Sequence, residues 1–548
     1  MSENTSIEGK KESFDIWQKI EKIIKRKESL ILFFLVIGIL VFIPLKILSY
    51  GWTPYDDAKR HVAFSTLDVK WSDVLIIDEK YDTDHNAGWH QILKFLYKNC
   101  GFDKLDLMFF SVAGLFILVN ICGILSAPSA ISWCVALLLV MNTDYSIYFR
   151  LLSGRPYIAS CAATLIVLFL WSFDSDENAP KFLKKKWLKY LLTIIALSLG
   201  VWIHGSWYLF LLIPLSFFIA GKTKESLILT GLVLVSTVIG AMLTGNFLHF
   251  LYYHFNATLS IYSEKTYNWL LVSENAQGGQ TIYWIPFTAI IVFLCMKKCG
   301  YKLSNIASDP IFMMVLLCWL GSIWVIRFWV DWGRICLILW LSYRIHDLIK
   351  SSYSLKIPRV RYCLCLFVEV ALLLCFIHDG NGRFTKLRAE EPIDFYCEET
   401  KDVLKGWEPQ DGGIIYSDNM YCFYQHFYQY PNAKWKYILG FESAIMKQED
   451  KETLRNIGFH AIEEAYLPWV NKMTDKDRLI LNKRLDKLKD IEWNRGNSNW
   501  WIGRLKKKSE SESKPESESE SKSESKPESE SKLESKTESE SLSKTENN

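Results

Sequence analysis

The chain has 548 residues, 50% hydrophobic and 15% aromatic, with 22% charged and a formal net charge of +3. Mean hydropathy is +0.07 even though a polar tail dilutes it, and the apolar residues gather into runs of roughly 16–22 with few charges, about the length a helix needs to cross a bilayer. These features exclude a purely soluble enzyme, a disordered chain and a nucleic-acid-binding domain, and the near-neutral sum points to no polyanionic partner.

Residues 1–29 are polar and Lys-rich, ending with Lys22, Lys25, Arg26 and Lys27 before a first apolar run at 30–48. No small-residue cleavage site follows, so the run reads as an uncleaved signal anchor whose basic flank stays in the cytoplasm. Residues 50–105 then form a long outer loop. Further apolar runs lie at approximately 106–126, 128–148, 156–173, 187–203, 205–220, 226–246, 282–297, 311–327, 332–349 and 361–377. Together they predict a mainly α, polytopic transmembrane bundle of about eleven crossings, with 187–220 readable as one bent pair around His204 and Gly205. Alternation from an inside N-terminus puts Lys181, Lys184, Lys185 and Lys186 inside, then Lys222 and Lys224, then Lys297, Lys298 and Lys302, then Lys350, Lys356, Arg359 and Arg361. Every informative inner loop is basic, as the positive-inside rule requires.

An odd number of crossings leaves residues 378–505 outside. Their mixed polar and aromatic composition predicts a small extracytoplasmic α/β domain, with a strand at 413–417 and helical segments at 418–429, 451–456 and 475–489. Cys397 and Cys422 fall within it; a disulfide and two free thiols are both open. The other cysteines are mostly single residues inside apolar runs, and no CxxC pair has a partner for a zinc site. Residues 509–548 are a Ser/Glu/Lys repeat with twelve Glu and six Lys. Such a tail cannot bury a core and reads as a disordered spacer from about 506 onward.

On this topology the ionisable groups collect at one face, where Asp82, Asp84, His90, Asp144 and Asp331 also lie. The sharpest element runs from Tyr50 to His61 (YGWTPYDDAKRH). Asp56 and Asp57 are adjacent carboxylates at the first outer helix start, and His61 shares a helix face with Asp57. Such a pair suits a general base or a divalent cation; it equally suits the cap of a helix. Farther on, His85 sits in a polar loop before Trp89, Ile92, Leu93 and Leu96, whose spacing predicts an amphipathic interfacial helix. Asp82, Asp84, His85 and His90 fit no tight metal-ligand spacing. Arg150 and Arg155 flank one outer turn, and Arg327 and Arg334 another. Arginine grips phosphate by paired hydrogen bonds, while snorkelling beside Trp is the alternative. His204 interrupts an apolar stretch, as a satisfied bundle histidine or as a ligand.

A first crossing, a long outer loop opening on an acidic pair, an amphipathic helix, some ten more crossings and an outer C-terminal domain resemble the GT-C superfamily of integral-membrane glycosyltransferases. The resemblance covers residues 30–505 in layout and Asp56-Asp57 in motif; Ile414 to Asp418 with Tyr430-Pro431 is similar to the outer domains of some bacterial members. It implies a polyprenyl-phosphate-linked sugar as donor, a glycan, lipid or protein hydroxyl as acceptor, inversion, and a bacterial cytoplasmic membrane. It places the catalytic base or a cation on Asp57 or Asp56, and makes Arg155, Arg150, Arg327 and Arg334, with His204, His61 and His85, candidates for substrate binding. A lipid-linked polysaccharide polymerase or ligase and a non-enzymatic transporter or flippase are the rival readings; no internal repeat supports transport.

Overall fold

The computed structural model describes residues 51–144, 146–172, 185–263, 282–351, 400–496 and 500–507, with pieces at 36–38, 40–45, 49, 384–386 and 393–395. Most of the first apolar run, the run at 361–377, Cys397 and nearly all of the tail fall outside these. The chain divides into two units, Met1–Lys506 and Lys507–Asn548.

The first unit is mainly helical with a small sheet. A short strand, β1 (Trp52–Pro54), leads into α1 (Asp57–Ser65), and α2 (Ala87–Cys100) follows the polar loop. The helix expected around Trp89, Ile92, Leu93 and Leu96 is present, with Trp89 and Leu93 buried and Phe95 on the other side 59% exposed. Gly88 lets α2 touch the next layer, since a Cβ there would meet the Trp202 carbonyl at 2.6 Å. Then come α3 (Lys104–Ser126), α4 (Ala130–Thr143), α5 (Tyr157–Ser172), α6 (Lys186–Ile203), α7 (Leu212–Ile219) and α8 (Thr223–Met242). They are followed by α9 (Phe247–Ser263), α10 (Trp284–Cys299), α11 (Pro310–Ser322) and α12 (Arg334–Ser351). Each apolar run among the described residues has become a helix. Their starts carry local signals, such as Asp103 and Asp106 as a capping box on α3 and Asp309-Pro310 opening α11.

Among the described residues, three helices are long and apolar enough to cross a membrane: α3, α6 and α8. The others among these runs fall short of that measure. The run at 205–220, for example, begins with a 3₁₀ turn (Trp207–Leu211) before α7 starts, and the run at 128–148 breaks at Thr143. Large apolar side chains stand on the outer faces of the helices, including Leu227 at 70% and Phe293 at 61% exposure. A buried face opposite an apolar exposed face is the pattern of a helix in lipid.

The C-terminal residues carry a five-stranded mixed sheet, in order β4 (Lys436–Tyr437), β3 (Ile414–Tyr416), β5 (Arg478–Leu481), β7 (Trp501–Leu505), β6 (Ile491–Arg495). The first three are parallel, with α13 (Met420–Gln429) joining β3 to β4, and α14 (Gln448–His460) follows. Strand β3 and helix α13 match the sequence expectation. The helix expected at 475–489 does not: its centre is β5, all four residues buried between β3 and β7. A four-residue central strand, an arginine followed by three apolar residues, carries no period that separates it from a helical segment.

This sheet is not a free-standing appendage. Phe64, Trp71, Leu75 and Ile77 of the long loop share one buried core with Ile415, Phe423, Phe427 and Tyr437. Leu75 bridges to Tyr437 and Ile77 to Met446, and β1 pairs antiparallel with β2 (Phe384–Lys386). The loop is the seam between helices and sheet.

Candidate functional site

At that seam lies a cavity of about 430 Å³. Asp56, Asp57, His61, His85, Arg150, Arg155, His204 and Arg327 all line it. They arrive from five separated stretches: the start of α1, the loop before α2, the turn before α5, and the breaks after α6 and α11.

The turn Ser153-Gly154-Arg155 delivers Arg155. Gly154 has φ +64°, and a Cβ on it would crowd Ala58 at 3.1 Å, so glycine is what lets this turn lie against α1. Arg155 pairs with Asp56 through Nη2 and with Asp57 through Nε at 3.2 Å. Asp57 also accepts from Arg60 Nε at 2.7 Å and from the Tyr424 hydroxyl at 3.3 Å. Asp56 occupies the cap position of α1 but makes no capping hydrogen bond with its side chain; its contact is Arg155. Arg150 pairs with Asp331, and its carbonyl accepts from the Tyr157 hydroxyl at 2.9 Å.

Arg334 is the exception to the convergence. It does not line the cavity. Its Nη2 meets Asp144 at 2.5 Å and its Nη1 donates to Ser146 at 2.8 Å. Six residues of π-turned helix separate it from Arg327, which turns the two arginines toward different neighbours.

The cavity lining holds four acids (Asp56, Asp57, Asp331, Glu442) and four arginines (Arg60, Arg150, Arg155, Arg327). Its imidazoles are neutral at pH 7. Burial, with the nearby Arg60 charge, holds His61 well below its ordinary value; burial, with the His254 ring, does the same for His85. Burial pushes His204 and His254 down to about 3. Arg60, Tyr253, His254, Tyr424, Phe441 and Glu442 also line the cavity and were not singled out by sequence reasoning. Only Arg60 carried a local signal, three residues after Asp57. The others reach the cavity because α9 and the sheet fold back over the loop.

A divalent cation does not fit the acidic pair: guanidinium groups already face both carboxylates, and a metal there would sit against Arg155. Among the described residues, no group of three or more His, Cys, Asp or Glu is placed to hold a metal ion. Asp82 instead accepts from the Ser72 hydroxyl at 2.7 Å, and Asp84 from the His90 ring. Cys422 is a buried free thiol.

Compared with models of known protein families and with curated proteins, the chain finds no match.

Proposed function

We propose that this chain is a polytopic membrane glycosyltransferase that moves a sugar from a polyprenyl-phosphate carrier to an acceptor hydroxyl on the extracytoplasmic face. The observation that carries the reading is the convergence of the acidic pair with Arg150, Arg155 and Arg327 on one cavity. That cavity gathers the ends of α5, α6 and α11 opposite to those that carry the basic residues. Lys185 and Lys186 begin α6, at the far end from His204, and Lys222 lies just before α8. This sidedness is what about eleven alternating crossings from an inside N-terminus require, with the sheet and α13 outside.

In this reading Arg155 and Arg150 receive the lipid phosphate. Each is ion-paired in the present arrangement, so the phosphate shares guanidinium donors with Asp56 and Asp331 or displaces them. Asp57 and Asp56 hold these arginines and meet the acceptor hydroxyl. The departing phosphate gains charge as the anomeric C–O bond breaks, and preset guanidinium groups stabilise it. The test is transfer from polyprenyl-phosphate-linked sugars by the purified chain and by D57N, D56N and R155K. Full transfer by all three variants would remove these residues from the chemistry.

A further inference from the structure

Within the glycosyl-transfer reading, on which this depends, we infer that His61 is the base that takes the acceptor proton, set in its tautomer by His90 and Asp84.

Three side chains stand in line behind the cavity wall. His61 Nδ1 lies 2.8 Å from His90 Nε2, and His90 Nδ1 lies 2.7 Å from Asp84 Oδ2. Burial opposes ionisation of Asp84, but the hydrogen bonds from the His90 ring and the Asn86 N–H hold the carboxyl below its usual range. An ionised carboxylate only accepts hydrogen bonds, so His90 Nδ1 carries the proton. With a single ring hydrogen, placed on Nδ1, the His90 Nε2 is an acceptor. It can meet His61 Nδ1 at 2.8 Å only if that nitrogen is the donor. Neutral His61 therefore has a bare lone pair on Nε2. This is the ring nitrogen turned away from His90, and His61 is a cavity-lining residue.

The local sequence builds this chain of tautomers. Asp84 also accepts from the Asn86 backbone N–H at 3.0 Å, and the His90 N–H donates to the Asn86 carbonyl at 2.9 Å, so one turn at the start of α2 fixes both partners. The His90 ring is flanked by Phe64 and Trp71, with centroids at 4.7 and 6.1 Å. Asp57, the obvious base by sequence, has Oδ1 accepting from Arg60 and Tyr424 and Oδ2 facing Arg155. Both Asp57 oxygens are thus engaged by guanidinium groups, whereas the His90 contact engages only one of the two ring nitrogens of His61.

The step balances. The acceptor O–H bond breaks and its proton goes to His61 Nε2. The oxygen bonds to the anomeric carbon, and the anomeric C–O bond breaks with its electron pair leaving on the lipid phosphate. The imidazolium keeps its Nδ1–H on His90, and Asp84 balances its charge through one ring. The proton then returns to solvent. His61 is the catalytic residue; His90 and Asp84 are positioning residues.

The experiment uses the full chain in lipid nanodiscs, polyprenyl-phosphate-linked hexoses and pentoses as donors, and H61A, D84N and D84E as variants. H61A is expected to lower kcat by roughly 10²–10⁴-fold, with partial rescue by added imidazole. D84N is expected to lower kcat at least about tenfold at unchanged KM, because an amide permits the opposite tautomers; D84E should recover most of it. Transfer by H61A within about threefold of the unsubstituted chain overturns the relay and leaves the glycosyl-transfer reading standing. So does a D84N defect confined to KM. Absence of transfer by the unsubstituted chain with every donor overturns both together.

Discussion

Replacing Arg155 by Gln removes a guanidinium shared by two carboxylates. Arg155 is 8% exposed and Asp56 7%, so neither carboxylate is rescued cheaply by water. Removing one partner of a buried ion pair costs about 3–5 kcal/mol. Asp57 keeps Arg60 at 2.7 Å, so the loss falls mainly on Asp56, and the lower end of that range, about 3 kcal/mol, is expected. D56N should cost a comparable amount by leaving Arg155 without its strongest partner. The double variant D56N/R155Q should cost less than the two singles added, with a coupling of about 1–3 kcal/mol. The assay is unfolding of the purified chain in one fixed detergent–lipid mixture, followed by tryptophan fluorescence. Strict additivity would refute the buried-pair reasoning, as would an R155Q loss below about 0.5 kcal/mol, a value typical of a solvent-exposed pair.

Gly205 presses against the His254 imidazole, and its N–H donates to the His85 carbonyl at 3.0 Å. G205A should therefore cost about 1–3 kcal/mol by overpacking, read in the same unfolding assay, and smaller G205A losses would mean His254 moves freely. Folded-state values near 3 for His204 and His254, against about 6.5 unfolded, mean that the unfolded chain binds more protons in between. Stability is then fully present above about pH 6.5 and falls as pH drops toward 3; H204N and H254N should flatten that slope. In the sheet, the buried Asp477 carboxylate accepts from the Ile414 N–H at 2.6 Å, the Thr474 N–H at 2.7 Å and the Thr474 hydroxyl at 2.9 Å. D477A should cost about 2–3 kcal/mol and make the segment after residue 400 cleavable by protease while the helices stay protected.

What the sequence made legible was whatever depends on neighbours in the chain. The apolar runs among the described residues became helices, and α2 lies where Trp89, Ile92, Leu93 and Leu96 predicted it. Asp56, Asp57, Arg150, Arg155 and Arg327, which sequence reasoning grouped, share a cavity. The missed parts depend on long-range pairing. Strand β5 is identified by β3 and β7, not by its own four residues. Tyr424 reaches Asp57 across 367 positions, and His254 enters on α9, which no apolar run announced. Arg334 looked equivalent to Arg327 in sequence, but its partners Asp144 and Ser146 belong to another part of the bundle. The His61–His90 contact was hidden because 29 positions separate the rings.

The most direct measurement follows the two products of transfer at once. The full chain, reconstituted in vesicles, is given polyprenyl-phosphate-linked sugars, and free polyprenyl phosphate and glycosylated acceptor are quantified by mass spectrometry. Stoichiometric release of both, lost in R155Q and D57N while folding is retained, is the predicted result. Movement of the intact lipid-linked sugar across the bilayer with no cleavage of its phosphate–sugar bond would contradict the account and make the chain a transporter.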